Sequence, residues 1–208
     1  MDKKLVKITA KIALLAGAFG LAGCASAYIP DTVHNHYKAP ASMTKVPGAE
    51  NVAVTVIVHN HKKRHDEISR TKDELNIPFA GVYMHIDKAF KAAIEKALAS
   101  RGFSIGGTGT QVQVVVQHFY LPEEMGWHIT HKGHLAMQVT VPVAGYRENI
   151  NIQNFHHNTA VSLGAGRTAS ANALLTAGVN KLVDNPQFIA ALLKAGHSGA
   201  VVPRLPAG

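Results

Sequence analysis

Histidine is the most conspicuous reactive side chain here, with 13 among 208 residues. The pairs His34/His36, His59/His61, His131/His134 and His156/His157 lie close in sequence, with His65 and His128 nearby. Two imidazoles at i, i+2 on an extended segment point the same way, and neutral imidazole is a good ligand for zinc, copper or nickel. His59, His61 and His65 are therefore candidate metal ligands. Structural zinc takes four ligands and catalytic zinc takes three plus a water. No HExxH spacing occurs, and the only cysteine is remote at position 24. The competing reading is of solvated loop histidines with local hydrogen bonds.

Other reactive residues do not assemble into a recognisable centre. There is no GxSxG nucleophile motif. Asp66, Glu67, Asp73 and Glu74 stand among lysines and arginines, as a charge-balanced surface segment would. The run Lys62-Lys63-Arg64 reads first as a solvated loop; the alternative is contact with anionic head groups, at about 1 kcal/mol per basic residue near such a surface. Gly164-Ala165-Gly166-Arg167-Thr168-Ala169 fits GxGxxA, but no further strand follows to complete a dinucleotide-binding unit. A turn leading into a helix explains those glycines. We therefore expect no catalytic residues, no enzyme activity and no bound cofactor.

The thiol of Cys24 is the exception. Lys3, Lys4, Lys7 and Lys11 precede an uncharged run, IALLAGAFGL, over residues 12–21. A basic start, an apolar stretch of about ten residues and a small-residue exit make an export signal. The stretch falls short of the roughly 20 residues that span a bilayer as a helix. Leu21-Ala22-Gly23-Cys24 resembles the lipobox of bacterial lipoproteins. That pattern implies cleavage between Gly23 and Cys24, with a diacylglycerol on the Cys24 sulfur and an N-acyl chain on its new amino terminus. Residue 25 is Ala rather than Asp, which resembles lipoproteins passed on to the outer membrane. The partner this implies is the membrane itself, with the domain facing the periplasm.

These assignments change what the charge means. Loss of residues 1–23 removes four lysines and one aspartate, so a net charge of +8 becomes +5. The remaining excess favours anionic surfaces weakly and gives no reason to expect nucleic acid. No cysteine is left for a disulfide, yet about 150 residues bury enough surface to fold without one. The expected organisation is a signal peptide over 1–23, a lipidated N-terminus and flexible tether over 24–49, one domain over 50–197, and a loose tail over 198–208.

Hydrophobic period supplies the elements. Residues 51–58, NVAVTVIV, are β-branched and short, as in a strand buried on both faces. Residues 59–74 are charged and lack a period, so they read as a surface loop. In residues 84–101, Ile86, Phe90, Ala93, Ile94, Ala97 and Leu98 recur at three and four and predict a helix closed by Gly102. Three strands follow, over 111–121, 134–141 and 146–155, with apolar and polar residues alternating and a turn at Ala144-Gly145. A last helix starts near Thr168 or Ser170 on the stripe Ala171, Leu174, Leu175, Gly178, Val179, Leu182 and Val183. Asp184-Asn185-Pro186 breaks it, and a shorter stripe over 188–193 follows.

The order β-α-β-β-β-α predicts a two-layer α+β domain. Its mostly antiparallel four-stranded sheet would carry two helices on one face. The first strand–helix–strand unit would be a parallel crossover. The other sheet face would present Gln113, Gln117, Gln138, Asn149 and Asn151, either to solvent or to a partner.

The lipobox, the first strand and Tyr83-Met84-His85-Ile86-Asp87-Lys88-Ala89-Phe90-Lys91 resemble the YajG-type family of bacterial lipoproteins. Arg101-Gly102-Phe103 and the Ala/Leu-rich last helix fit that pattern too, and the likeness covers most of the mature chain. It implies an outer-membrane lipoprotein without catalytic residues. We expect an accessory or scaffold that docks another envelope protein. The alternative is a periplasmic ligand- or metal-binding lipoprotein using its histidine-rich loops.

Overall fold

In the computed structural model, residues 30–72, 78–124, 129–159 and 163–199 are described. The lipobox, His128 and residues 200–208 of the tail expected over 198–208 lie outside them, while its first two residues, 198–199, belong to the last helix rather than to a loose tail. The strands are β1 (Asp31–Thr32), β2 (Ala53–Asn60), β3 (Glu67–Lys72), β4 (Pro78–Tyr83), β5 (Ser104–Ile105), β6 (Thr110–Tyr120), β7 (Glu123–Glu124), β8 (Ile129–Val141) and β9 (Tyr146–Thr159). The helices are α1 (Ile86–Ser100), α2 (Leu163–Val183) and α3 (Pro186–Gly199).

The main sheet runs β5-β2-β6-β8, and both β9 and β7 pair with β8. β2 and β6 are parallel, as a crossover through α1 requires, while β6, β8 and β9 are antiparallel. Gly145 closes the last hairpin at φ 67°, in the left-handed region where a side chain is disfavoured.

Helical period maps directly onto the core. Ile86, Phe90, Ala93, Ile94, Ala97 and Leu98 are all buried, as are Leu174, Leu175, Val179, Leu182 and Val183 of α2. They meet Val54 and Val56 of β2, Val112, Val114 and Val116 of β6, and Leu135, Met137 and Val139 of β8. Only one face of β2 is buried, so the expected double burial does not hold; Thr55 and Ile57 are partly exposed on the other side.

The single four-stranded sheet is a further correction, because there are two sheets. A second, three-stranded sheet runs β1-β4-β3. β3 lies within what reads as a charged loop, taking six of its residues. Its strand state comes from pairing rather than period: it pairs with β4, and its far side is tied to the end of β6. There Ile68 O accepts from Leu121 N at 2.7 Å, and Ser69 Oγ donates to Leu121 O at 2.6 Å. The glycine-rich turn expected before the last helix is also corrected, since α2 already begins at Leu163.

Residues 30–49 are not a free tether. Val33 and Tyr37 are buried, and the chain lies across α1 and α2. Asn35 Nδ2 donates to Ala89 O at 3.0 Å, His36 N to Asn172 Oδ1 at 2.7 Å, and Tyr37 Oη to Asn180 Oδ1 at 2.9 Å. Val46 N reaches Arg101 O at 2.8 Å, past the end of α1. These side-chain anchors follow no hydrophobic period, so the segment reads as linker in sequence and as a strap in space.

Where β6 begins, the backbones of Gly109 and β2 nearly touch. A Cβ on Gly109 would sit 2.4 Å from the carbonyl carbon and oxygen of Ala53. Backbone cannot rotate away as a side-chain tip can, so Gly109→Ala is expected to cost about 1–3 kcal/mol. The midpoint of urea unfolding checks this, and an unchanged midpoint would refute the close approach.

Candidate functional site

All three helices pack on one face of the main sheet, and the opposite face is open. Four of the five expected polar side chains, Gln113, Gln138, Asn149 and Asn151, are on it. Gln138 Nε2 donates to Asn149 Oδ1 across β8 and β9 at 3.2 Å. Gln113 stands opposite Thr140, and Asn151 stands opposite Ala136. Gln117 departs from the alternation, because the β6–β8 register shifts between Val116 and His118. One extra residue there flips the parity of β6. Gln117 and His118 are consecutively exposed, Phe119 turns into the core, and Tyr120 turns outward.

A second irregularity lies on β9. Leu135 pairs with Ile152 but Gly133 pairs with Phe155, so two residues of β9 oppose His134. Asn154 takes φ 56° in this bulge. Beyond it His156 faces the open side, while His157 turns to α2, its Nδ1 2.8 Å from Ser170 Oγ.

The two bulges concentrate rings at one end of the open face. His118 and His134 have ring centroids 4.4 Å apart, and Tyr120 lies 6.4 Å from His118. The turn over residues 61–66 rises beside them, held by Lys62 N to Asn60 Oδ1 at 3.2 Å and by His65 N to Lys62 O at 3.1 Å. The Arg64 guanidinium lies 5.6 Å above the Tyr120 ring, within cation–π range. Between the turn and β6 is a hollow of about 330 Å³, lined by Lys62, Lys63, Arg64, Glu67, Gln117, His118 and Tyr120. A second hollow of about 350 Å³ adjoins it past His118 and Tyr120, toward Lys132, His134, Asn154 and His156.

The electrostatics of this corner are one-sided. Glu67 divides its carboxylate between Arg64 at 2.8 Å and Arg70 at 2.7 Å. Asp66 turns away to the start of α1, accepting from Asn60 Nδ2 and Ile86 N and meeting His85. Lys62 is buried, its Nζ donating to Glu67 O at 2.9 Å. Burial pushes the Lys62 ammonium down to about 8, even though Asp66 and Glu67 oppose the shift. Burial also lowers His118, assisted by His134 and by the Lys62 charge.

The histidines singled out for metal do not converge. The rings of His59 and His61 are 6.1 Å apart, and His65 occupies a left-handed position at φ 43° in the turn. Among the described residues no group of three or more His, Cys, Asp or Glu side chains is placed to hold a metal ion. Cys24 and Gly23 lie outside the described residues. Sequence reasoning passed over His118 and Tyr120. Consecutive polar residues, Gln117-His118, interrupting a valine alternation were the signal of the bulge that exposes them.

No protein-family model matches the chain, and no curated protein matches it. Solved structures do. A Xanthomonas campestris protein described under the family model DUF330 aligns with 10% identity and a TM-score of 0.49, over 82% of this chain and 98% of that one. A lipoprotein from Neisseria meningitidis aligns with 8% identity and a TM-score of 0.34, over 64% and 99%. A minor lipoprotein from Acinetobacter baumannii aligns with 5% identity and a TM-score of 0.31, over 72% and 93%. Among the described residues no helix is long and apolar enough to cross a membrane.

Proposed function

We propose that this chain is a lipid-anchored protein of the outer membrane, related to the YajG-type family, whose domain faces the periplasm. Its role is that of a non-catalytic accessory that docks another envelope protein on the open face of the main sheet. The observation that carries this reading is the basic, apolar and small-residue leader ending in Leu21-Ala22-Gly23-Cys24. The strap adds a geometric consequence. Five residues separate Cys24 from Pro30, and even fully extended they reach only about 20 Å. An acylated Cys24 would therefore hold the domain close to the bilayer, with β1 and the small sheet nearest the anchor.

The open face suits a protein partner. Gln113, Gln138, Asn149 and Asn151 offer amide donors and acceptors together, and Val115 and Ile57 lie among them with partial exposure. A photo-crosslinkable residue at Asn149 or Gln138, introduced in the native host, is expected to trap one discrete envelope protein. The same residue at Lys96, exposed on α1, is expected to trap none. Equal adducts from both faces, or none from the sheet, would remove the docking role.

A further inference from the structure

We infer that the basic, histidine-lined cleft beside the 61–66 turn binds a phosphodiester group, held between Lys62, Lys63 and Arg64 on one side and His118 and His134 on the other. This goes beyond the docking reading and stands whether or not Cys24 is acylated.

Composition of the walls selects the ligand class. Lys62, Lys63, Arg64 and Arg70 share one short stretch with two carboxylates. Both of those carboxylates are already engaged, Glu67 by two arginines and Asp66 at the start of α1. A metal cation would meet Lys62, Lys63 and Arg64 around the hollow, against the single carboxylate of Glu67, which Arg64 and Arg70 already hold. A tetrahedral anion meets the reverse, since its several acceptor oxygens can take ammonium, guanidinium and imidazole donors from different directions. The hollow of about 330 Å³ accommodates one such group with its ester arms, and the adjoining hollow past His118 gives one arm a path. Tyr120 lines the site, and its ring holds the Arg64 guanidinium beside it.

A second observation points the same way. Lys62 and His118 are the described bases pushed below their ordinary values, and they border the same hollow. Perturbed groups gather where a fold holds charge for use rather than for its own stability. Each pays for its proton in the empty site, and an anion seated between them removes that penalty.

The pH response follows. The groups facing His118 are His134 from β8, Lys62, Lys63 and Arg64 from the turn, Glu67 from β3 and Tyr120 from its own strand. Lys132 and His156 line the neighbouring hollow, and Glu123 and Glu124 of β7 stand in register with His131 and Thr130. A bound anion favours the protonated form of His118, so binding takes up a proton. Affinity must then rise as pH falls toward the titration range of the free His118. A phosphodiester keeps a single negative charge throughout that range, so the pH response belongs to the protein.

The test uses the chain from residue 24 with Cys24→Ala, so that no acyl anchor contributes. Soluble glycerophosphoglycerol is titrated while the His118 and His134 ring resonances are followed. We expect saturable shifts of both rings, and an affinity that rises roughly tenfold from pH 7.5 to 5.5, the factor of one pKa unit. Lys63→Gln and Arg64→Gln, both at exposed positions, should each weaken binding roughly three- to tenfold, as loss of a charge-assisted hydrogen bond does. His118→Gln should keep binding but flatten its pH dependence. Vesicles separate the sources. Retention on phosphatidylglycerol–phosphatidylcholine vesicles well above the soluble diester's affinity assigns a lipid head group, and equal affinity assigns a soluble diester. Absence of saturation with both probes, equal binding to pure phosphatidylcholine, or unchanged affinity in both cation variants would overturn the site.

Discussion

Phe90→Ala is expected to remove about 3–5 kcal/mol of stability, the usual range for emptying a buried aromatic position. Phe90 projects from α1 and is fully buried. Its ring meets Phe119 of β6 edge to face, with centroids 5.4 Å apart and planes at 90°. Such a contact contributes about 0.5–1.5 kcal/mol beyond the area it buries. The pair joins the crossover helix to the part of β6 that lies past the bulge. Phe119 depends on that bulge for its inward direction, so deleting Phe90 leaves a gap that neither rigid element can close. Domains are stable by only about 5–15 kcal/mol, so the loss is a large share of the total. Urea unfolding at pH 7 measures it, and Phe90→Leu should recover more than half. A loss below 1 kcal/mol would show that α1 does not seat on β6 as described.

The second large effect concerns location. Cys24→Ala should abolish stable membrane attachment. Each buried methylene contributes about 0.8 kcal/mol, and two acyl chains are needed for a hold that survives washing. The net charge of about +5 left after removal of residues 1–23, even with three cations together at 62–64, gives only a salt-sensitive hold and cannot replace them. Native protein should stay with membranes through high salt and carbonate and enter the detergent phase. The Cys24→Ala protein should do neither once its leader is gone. An uncleaved leader would itself retain the chain, so intact mass must accompany the fractionation. Equal membrane retention of a leader-free Cys24→Ala protein would contradict the anchor.

The parts of the fold legible in sequence are those whose residues report a period by themselves. The stripe from Ile86 to Leu98 and the stripe from Ala171 to Val183 lie buried where spacing places them. The alternation in β8 and β9 puts Gln138 and Asn149 side by side. What remained hidden depends on partners distant in sequence. β3 reads as charged loop because Ile68 is the one apolar residue in EISRTK, and its pairing comes from β4 and from Leu121. The strap is held by single side chains, among them Asn35 and Tyr37, which dock on helices more than 50 residues away. The cleft was invisible for a related reason. His118 and His134 meet through antiparallel pairing, and His118 faces outward only because one residue is inserted into β6. The histidines that sequence proximity suggested, His59, His61 and His65, share a short stretch but no ligand geometry.

The mass of the mature amino terminus, taken on protein purified from native membranes, tests the anchor at its source. The expected first residue is Cys24, carrying a diacylglycerol on sulfur and a third acyl chain on nitrogen. An intact Met1, or a terminal Cys24 with a free thiol and a free amine, would contradict it.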